Sequence, residues 1–312
     1  MDHAPAPQRK LAIKIDVDTD RGTREGVPRL VELLAKHRVQ ATFLFSLGPD
    51  HTGRAITRVF RRGFMKKVSR TSVLEHYGIA TLLYGTLLPG PDIGKRRADI
   101  MRRVRDAGHE VGIHAYDHVR WQDGVARQGD AWTRREMQLA RDRFQEIFGE
   151  PALTHGAAGW QMNLYAYRLT QRLGFRYCSD TRGTHPFVPI YNAEIIACPQ
   201  LPTTLPTLDE LIGIDGVNVD NVADHVLRLS EIPAPGGHVY TLHAELEGMK
   251  LAPVFEKLLA GWRTQGYSLI SLRQYAQSLD IARLPRHVVV EGYIPGRSGP
   301  VAMQGREFLA PA

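Results

Sequence analysis

Three stretches of the chain hold side chains whose types and spacing suit metal-assisted hydrolysis. Asp16 and Asp18 lie two residues apart at the end of the alternating run Leu-Ala-Ile-Lys-Ile-Asp-Val (11–17). On a strand, residues two apart project from one face. Two carboxylates so close repel one another, so a cation or another partner must offset the repulsion. His114 and His118 form a second pair, His-x-x-x-His. On one helical turn, positions i and i+4 point the same way and can share a metal. Thirteen histidines in 312 residues supply roughly half such a pair by chance. Position adds the weight, because His114 closes an apparent strand, Glu110–His114. His243 stands near the end of a third strand, Val239–Ala244.

Two imidazoles and a carboxylate leave coordination positions open, as a catalytic rather than a structural site requires. Zinc suits this set best, with manganese, cobalt and nickel as alternatives for the one divalent ion. The matching chemistry is hydrolysis of an amide. The metal polarises the carbonyl and acidifies a water. A base takes the proton and an acid protonates the departing nitrogen. Asp20 continues the acidic run beyond the strand and reads as a loop residue.

Such groups need a frame that brings several strand ends together. Ile13, Ile15 and Val17 share one face of the first strand. A helix follows from Val27 to His37, with Pro28 in its first turn and Leu30, Val31, Leu33 and Leu34 as its apolar stripe. Gln40–Leu47 is rich in strand formers and is stopped by Gly48-Pro49. This β-α-β unit implies a parallel sheet.

The alternation recurs along the chain. Helix Ala98–Ala107 precedes strand Glu110–His114, and a long helix covers Thr133–Phe148. Helix Leu164–Leu173 precedes strand Phe175–Ser179, and helix Val217–Leu229 precedes strand His238–Ala244. Helix Pro253–Thr264 then leads into strand Tyr267–Ser271. The predicted class is α/β, a (β/α) barrel with catalytic groups at the carboxyl ends of its strands. The barrel is expected over residues 11–284, after a flexible N-terminus of residues 1–10. The Gly- and Pro-rich tail, 285–312, is expected to wrap the surface with little regular structure.

Residues 49–95 interrupt the pattern and read as an insertion. Arg54, Arg58, Arg61, Arg62, Lys66, Lys67 and Arg70 fall in a stretch with no acidic residue. Ile56, Phe60, Phe64 and Val68 recur every four residues with Val59 beside them, so a helix here has one apolar side and a basic remainder. An apolar segment from Ile79 to Leu88 follows, closed by Pro89-Gly90-Pro91.

An apolar content of 43% suffices for one large core without a second domain. The net charge of +7 implies an anionic partner: nucleic acid, a phospholipid surface or a phosphorylated substrate. Cys178 and Cys198 show neither CxxC spacing nor a dense framework, so a reducing compartment without a structural disulfide is expected. The start lacks the pattern of a secretory signal, and no window approaches the ~20 apolar residues that span a bilayer. The expectation is a cytoplasmic protein that touches membrane from its surface.

The order Asp-x-Asp, His-x-x-x-His and a late strand ending Leu-His resembles the polysaccharide deacetylase (NodB-homology) family. The resemblance implies a distorted (β/α) barrel of about seven strands. It makes Asp16 the general base, Asp18, His114 and His118 the metal ligands, and His243 the general acid. Longer stretches resemble one deformylase subfamily: residues 15–28, 41–50, Val-Gly-Ile-His-Ala-Tyr-Asp-His (111–118), Ala-Gly-Trp (158–160), Ser-Asp-Thr-Arg-Gly (179–183), Leu-Pro-Thr-Leu-Asp-Glu (205–210) and Tyr-Thr-Leu-His-Ala-Glu (240–245). Its members release formate from a lipid-linked aminosugar phosphate at the cytoplasmic face of the inner membrane, which feeds lipid A modification and polymyxin resistance. The resemblance places Trp160, Asp180, Arg182, Glu210 and Glu245 with the substrate, Trp160 as a wall of the sugar pocket and Glu245 near the amine or formyl group. Many deacetylases carry an arginine in the third motif that orients the base. Ala158-Gly159-Trp160 has none, and Arg182 is the expected substitute.

The basic insertion fits a peripheral, anionic membrane surface. An amphipathic helix buries its apolar side while each Lys or Arg near the surface contributes ~1 kcal/mol. Arg58, Arg61, Arg62, Phe64, Lys66 and Lys67 are the expected contacts. Among competing readings, a deacetylase of N-acetylated cell-wall sugars uses the same machinery, but the missing export signal argues against it. A haloacid-dehalogenase-type phosphatase or a glycosyltransferase DxD leaves the histidine pair without a role. A nucleic-acid-binding protein would explain the charge, yet no recognised module is present and no nucleic acid is expected.

Overall fold

A computed structural model of the chain describes residues 9–55, 83–297 and 299–309. The first strand, β1 (Arg9–Val17), lies in the middle of the molecule and is buried from Leu11 to Val17. Both of its faces are covered, which is why Ile13, Ile15 and Val17 alternate with Lys14 and Asp16 and yet none of the five meets solvent. The strand begins at Arg9, so Arg9 and Lys10 of the expected flexible start are strand, and residues 1–8 lie outside the described residues.

The α/β order follows from there as α1 (Val27–Lys36), β2 (Thr42–Ser46), α2 (Ile93–Asp106), β3 (Glu110–Ala115), α3 (His118–Gly124), α4 (Asp130–Phe148), β4 (Thr154–His155), α5 (Leu164–Arg172) and β5 (Tyr177–Cys178). A small sheet contributes β6 (Val188–Tyr191) and β7 (Glu194–Ile195), followed by α6 (Leu208–Leu211) and α7 (Val222–Ser230). The barrel resumes with β8 (His238–His243), α8 (Ala252–Thr264), β9 (Tyr267–Ile270) and α9 (Leu272–Gln277). The chain ends in β10 (Arg286–Gly292) and β11 (Val301–Glu307).

Seven strands form the main sheet, in the order β5-β4-β3-β2-β1-β8, with β9 also paired to β1. All of these pairings are parallel, as βαβ connections require. Between the outer strands β5 and β8 runs the segment 199–205. Leu201 N donates to Cys178 O and Thr203 N to Thr181 O on one side, while Thr204 N and Leu205 N both donate to Val239 O on the other. It bridges the gap without becoming a strand, because Pro199 and Pro202 lack the N–H groups a regular ladder uses. That is the distortion of the barrel.

The helices pack amphipathic faces on this sheet. In α1, Val27, Leu30 and Leu34 are buried; α4 ends at Gly149, whose φ of 73° suits a residue without a Cβ. The expected tail differs from the structure. Residues 286–292 and 301–307 pair antiparallel and join β6 and β7 in a second sheet, β11-β10-β6-β7. Pro295, Gly296, Gly299 and Pro300, which suggested irregularity, sit in the connection between the two strands, whereas Val288, Val289 and Val290 of β10 are β-branched. Within the expected insertion 49–95, α2 already begins at Ile93, capped by Asp92, whose side chain accepts from Lys95 N. Arg58, Arg61, Arg62, Phe64, Lys66 and Lys67 lie outside the described residues. Among the described residues, no helix is long and apolar enough to cross a membrane.

Candidate active site

The carboxyl ends of β1, β3 and β8 meet on one side of the barrel. Asp16 is 2% exposed, and in the parallel register it stands opposite His243 of β8. Asp18 follows just past the strand, where Glu245 fixes the backbone. Its Oε1 accepts from Asp18 N at 3.1 Å, Thr19 N at 2.9 Å and Thr19 Oγ1 at 2.8 Å. Gly22 is required below it, since a Cβ there would stand 1.9 Å from Glu245 Oε1.

The histidine pair is not on one helical turn, contrary to the simplest reading of its spacing. His114 belongs to β3 and His118 is the first residue of α3. Between β2 and β3 the register passes from Phe45–Ile113 to Ser46–Ala115, so His114 is the extra residue of a β-bulge. Bulges re-aim a side chain at a strand end. Asp117 caps α3 through Arg120 N, turning the chain so that the two imidazoles stack with centroids 5.3 Å apart.

These donors fit a divalent ion. Two atoms bound about 2.0–2.2 Å from one tetrahedral centre stand roughly 3.3 Å apart. His114 Nε2 lies 3.2 Å from Asp18 Oδ1, and His118 Nε2 lies 3.5 Å from Asp18 Oδ2. Asp18 Oδ1 is buried without a hydrogen-bond partner among the described residues. His114 Nδ1 is 2.6 Å from Gly156 O; a carbonyl only accepts, so Nδ1 carries the proton and Nε2 keeps its lone pair toward Asp18. Burial would raise the Asp18 carboxyl, but the imidazoles of His118, His114 and His243 outweigh it and hold the group well below the usual carboxylate range. Burial lowers His118, against the pull of Asp18. It also opposes charge on His114, which Asp16 and Asp18 nevertheless raise.

Across from this cluster, His243 is 15% exposed at its side chain, and its Nδ1 lies 3.8 Å from Asp209 Oδ1. Burial pushes the imidazole down, but Asp209, Asp18, Asp16 and Glu247 outweigh it, and His243 is raised to about 9. Glu247 accepts from His243 N at 3.1 Å and is itself pushed by burial to about 7. Asp209 feels burial upward and His243 and Arg297 downward, with a net fall.

The remaining expected site residues fall out differently. Trp160 is 1% exposed, so it is no open wall for a sugar. Its ring is a floor under three cations, with Lys14 Nζ and Arg182 Cζ each 5.0 Å and Arg297 Cζ 4.4 Å from the centroid. Asp180 has both oxygens occupied, Oδ1 by His155 and Ala157 N and Oδ2 by Gln200. Arg182, the expected orienter of Asp16, instead donates to Glu210 Oε1 at 2.6 Å and to Leu205 O at 3.1 Å. Glu210 also closes the capping box at the start of α6. Those three brace the region around Trp160. Glu245 holds the Asp18 loop through Oε1, while Oε2 is buried without a partner among the described residues. Burial and the nearby Asp18 push it to about 8.

Three residues were missed by sequence reasoning. Lys14 is 3.3 Å from Asp16 Oδ2, and a charged residue inside an apolar alternating strand is the signal that could have revealed it. Asp209 lay in a quoted motif one place before Glu210. Arg297 lay in the tail that was expected to be irregular and gave no signal.

Residues 5–178 match the family described as Polysaccharide deacetylase, over half of the chain. The chain belongs to the polysaccharide deacetylase family. The chain is accordingly a hydrolase that acts on an amide bond. Within the family it is similar to a Shewanella sediminis (strain HAW-EB3) protein named probable 4-deoxy-4-formamido-L-arabinose-phosphoundecaprenol deformylase ArnD. The two are 38% identical over 290 residues, 93% of each chain. A Wigglesworthia glossinidia brevipalpis protein of the same name is 33% identical over 91% of this chain and 98% of its own. The fold is shared with a "putative polysaccharide deacetylase" from Mycobacterium smegmatis, with a TM-score of 0.62, 16% identity and coverage of 94% and 98%. It is also shared with the Bc1960 peptidoglycan N-acetylglucosamine deacetylase, with a TM-score of 0.54, 16% identity and coverage of 88% and 91%.

Proposed function

We propose that the chain is a metal-dependent deformylase of a lipid-linked sugar, releasing formate from undecaprenyl-phosphate-linked 4-deoxy-4-formamido-L-arabinose and leaving the free amine. The observation that carries the chemistry is the convergence of Asp18, His114 and His118 beside Asp16, with His243 opposite. The substrate reading is supported by relatives of that name matching nearly the whole length of the chain.

In this reading Asp18, His114 and His118 hold one divalent ion, with zinc favoured by the donor set and manganese, cobalt and nickel compatible with it. When bound, such an ion supplies Lewis-acid polarisation of the amide carbonyl and a more acidic water. Asp16 would serve as the base, taking a proton from the attacking water on Oδ1, which is buried and has no hydrogen-bond partner among the described residues. His243, kept protonated by the carboxylates around it, gives a proton to the nitrogen as the C–N bond breaks. Glu245 acts on the Asp18 loop, and Asp209 holds His243 in its charged form.

The lipid chain of such a substrate stays in the bilayer. The basic stretch of Arg58, Arg61, Arg62, Phe64, Lys66 and Lys67 would then bring the enzyme to the cytoplasmic face of the inner membrane as a peripheral protein. The product is the amine needed for lipid A modification and polymyxin resistance. Sedimentation with vesicles of about 30% anionic lipid, roughly the surface charge of a cytoplasmic leaflet, tests the contact: changing Arg61, Arg62, Lys66 and Lys67 to Gln weakens the binding, and unchanged sedimentation removes the membrane role.

The decisive assay follows formate and acetate release in parallel, from lipid-linked formamidoarabinose and from N-acetylglucosamine oligomers. Formate from the first substrate alone is expected. Acetate from the second, without formate from the first, would make the enzyme a deacetylase of N-acetylated sugars instead.

A further inference from the structure

Lys14 is fully buried in the middle of the central strand, a place where an unpaired ammonium is strongly unfavourable. Its surroundings are built for it. Nζ donates to Ser179 O at 3.1 Å, pairs with Asp16 Oδ2 at 3.3 Å and lies over the Trp160 ring. Gly156 leaves the space it fills, since a Cβ there would meet Lys14 Cε at 3.1 Å and Nζ at 3.3 Å. The same glycine's carbonyl accepts a hydrogen bond from His114 Nδ1, so one backbone position serves both the lysine and a candidate ligand.

The two oxygens of Asp16 are thereby made unequal. Oδ2 is tied to the ammonium, whereas Oδ1 is buried and bare among the described residues, 3.8 Å from His114 Nδ1. Lys14 and Asp16 project from the same face of β1, two residues apart. Turning the carboxylate would give up its contact with Lys14, so the ammonium fixes where Oδ1 points. The nearby arginines are committed elsewhere, Arg182 to Glu210 and Leu205 O, and Arg297 to Asp209 and Glu210.

We propose that Lys14 is a positioning residue that anchors Asp16 through one oxygen and presents the other to the reacting water, the task for which no arginine is available in Ala158-Gly159-Trp160. The inference rests on the reading of Asp16 as the base. Its test compares Lys14→Met, Lys14→Arg and Asp16→Asn in the full-length enzyme, measuring formate release from lipid-linked formamidoarabinose together with bound metal. Asp16→Asn is expected to lose at least about 1000-fold in kcat, at the upper part of the range for a general base. Lys14→Met is expected to lose about 100-fold in kcat, with KM within threefold of the wild type and metal still stoichiometric. Lys14→Arg recovers at least tenfold of that loss, because it restores the cation beside Oδ2.

Lys14→Met with kcat within threefold of the wild type overturns the proposal. So does equal impairment of Lys14→Met and Lys14→Arg, or loss of metal from Lys14→Met, each of which assigns the residue to the framework alone. An active Asp16→Asn would instead remove the base reading on which the proposal stands.

Discussion

Among the described residues, two clusters in this barrel each bring three potential ligands within 4.8 Å of one another: the part-buried Asp18, His114 and His118, and the buried His155, Cys178 and Asp180. Distance alone does not separate them. Hydrogen bonding does. In the second cluster Asp180 is saturated by His155, Ala157 N and Gln200, and burial pushes the Cys178 thiol well up. In the first, Asp18 Oδ1 and Asp16 Oδ1 are buried and bare among the described residues, and His114 Nε2 is aimed by the bond that its other nitrogen makes. A buried carboxylate oxygen without a donor is costly unless something else fills the place. The first cluster is open to chemistry and the second is a knot in the wall of the barrel.

The largest contrast is expected from the ligands themselves. A double change of His114 and His118 to Ala should abolish bound metal by elemental analysis. It should also lower formate release by roughly 1000-fold or more, since Lewis-acid stabilisation contributes several kcal/mol and each 1.36 kcal/mol is tenfold. The matching His155→Ala enzyme should keep its metal; stoichiometric metal in the double variant would end the assignment. Next in size is Asp209→Asn, with a fall of about 10- to 100-fold in kcat. His243 is raised to about 9, so its acid form is present below that pH and is lost as pH rises through it. Removing the Asp209 charge lowers that pKa, and the alkaline limb of the kcat profile moves to lower pH. A limb that stays in place would separate Asp209 from His243.

Legibility followed the range of the interaction. The strands carrying Asp16, His114 and His243 were readable because alternation and βα order are local, and a parallel sheet then puts their carboxyl ends together. What lies beyond local pattern was not. The bulge at His114 arises from pairing with β2, and its spacing to His118 read equally well as one helical turn. The saturation of Asp180 depends on Gln200, and the diversion of Arg182 depends on Glu210, partners 20 and 28 residues away. Arg297 reaches the site only because the C-terminal hairpin packs beside Trp160. The closing segment 199–205 has too many prolines to look like part of a sheet, although it bridges one.

Smaller effects sharpen the same contrast. Glu245→Gln leaves the shape of the Asp18 loop but weakens its anchor, and metal affinity should fall by about 10-fold, the low end for an outer-shell partner; competition with a fluorescent chelator would detect it, and unchanged affinity would make Glu245 a bystander. In the closed cluster, Asp180→Asn replaces an acceptor for His155 and should cost roughly 1–3 kcal/mol of stability in urea unfolding, with metal content unchanged. Loss of metal without loss of stability would reverse the roles of the two clusters.

The most direct test is anomalous scattering, recorded at the absorption edge of the added ion, from crystals grown with one equivalent of zinc. The account predicts a single strong peak among Asp18, His114 and His118. A peak among His155, Cys178 and Asp180 with none at the first cluster would contradict it.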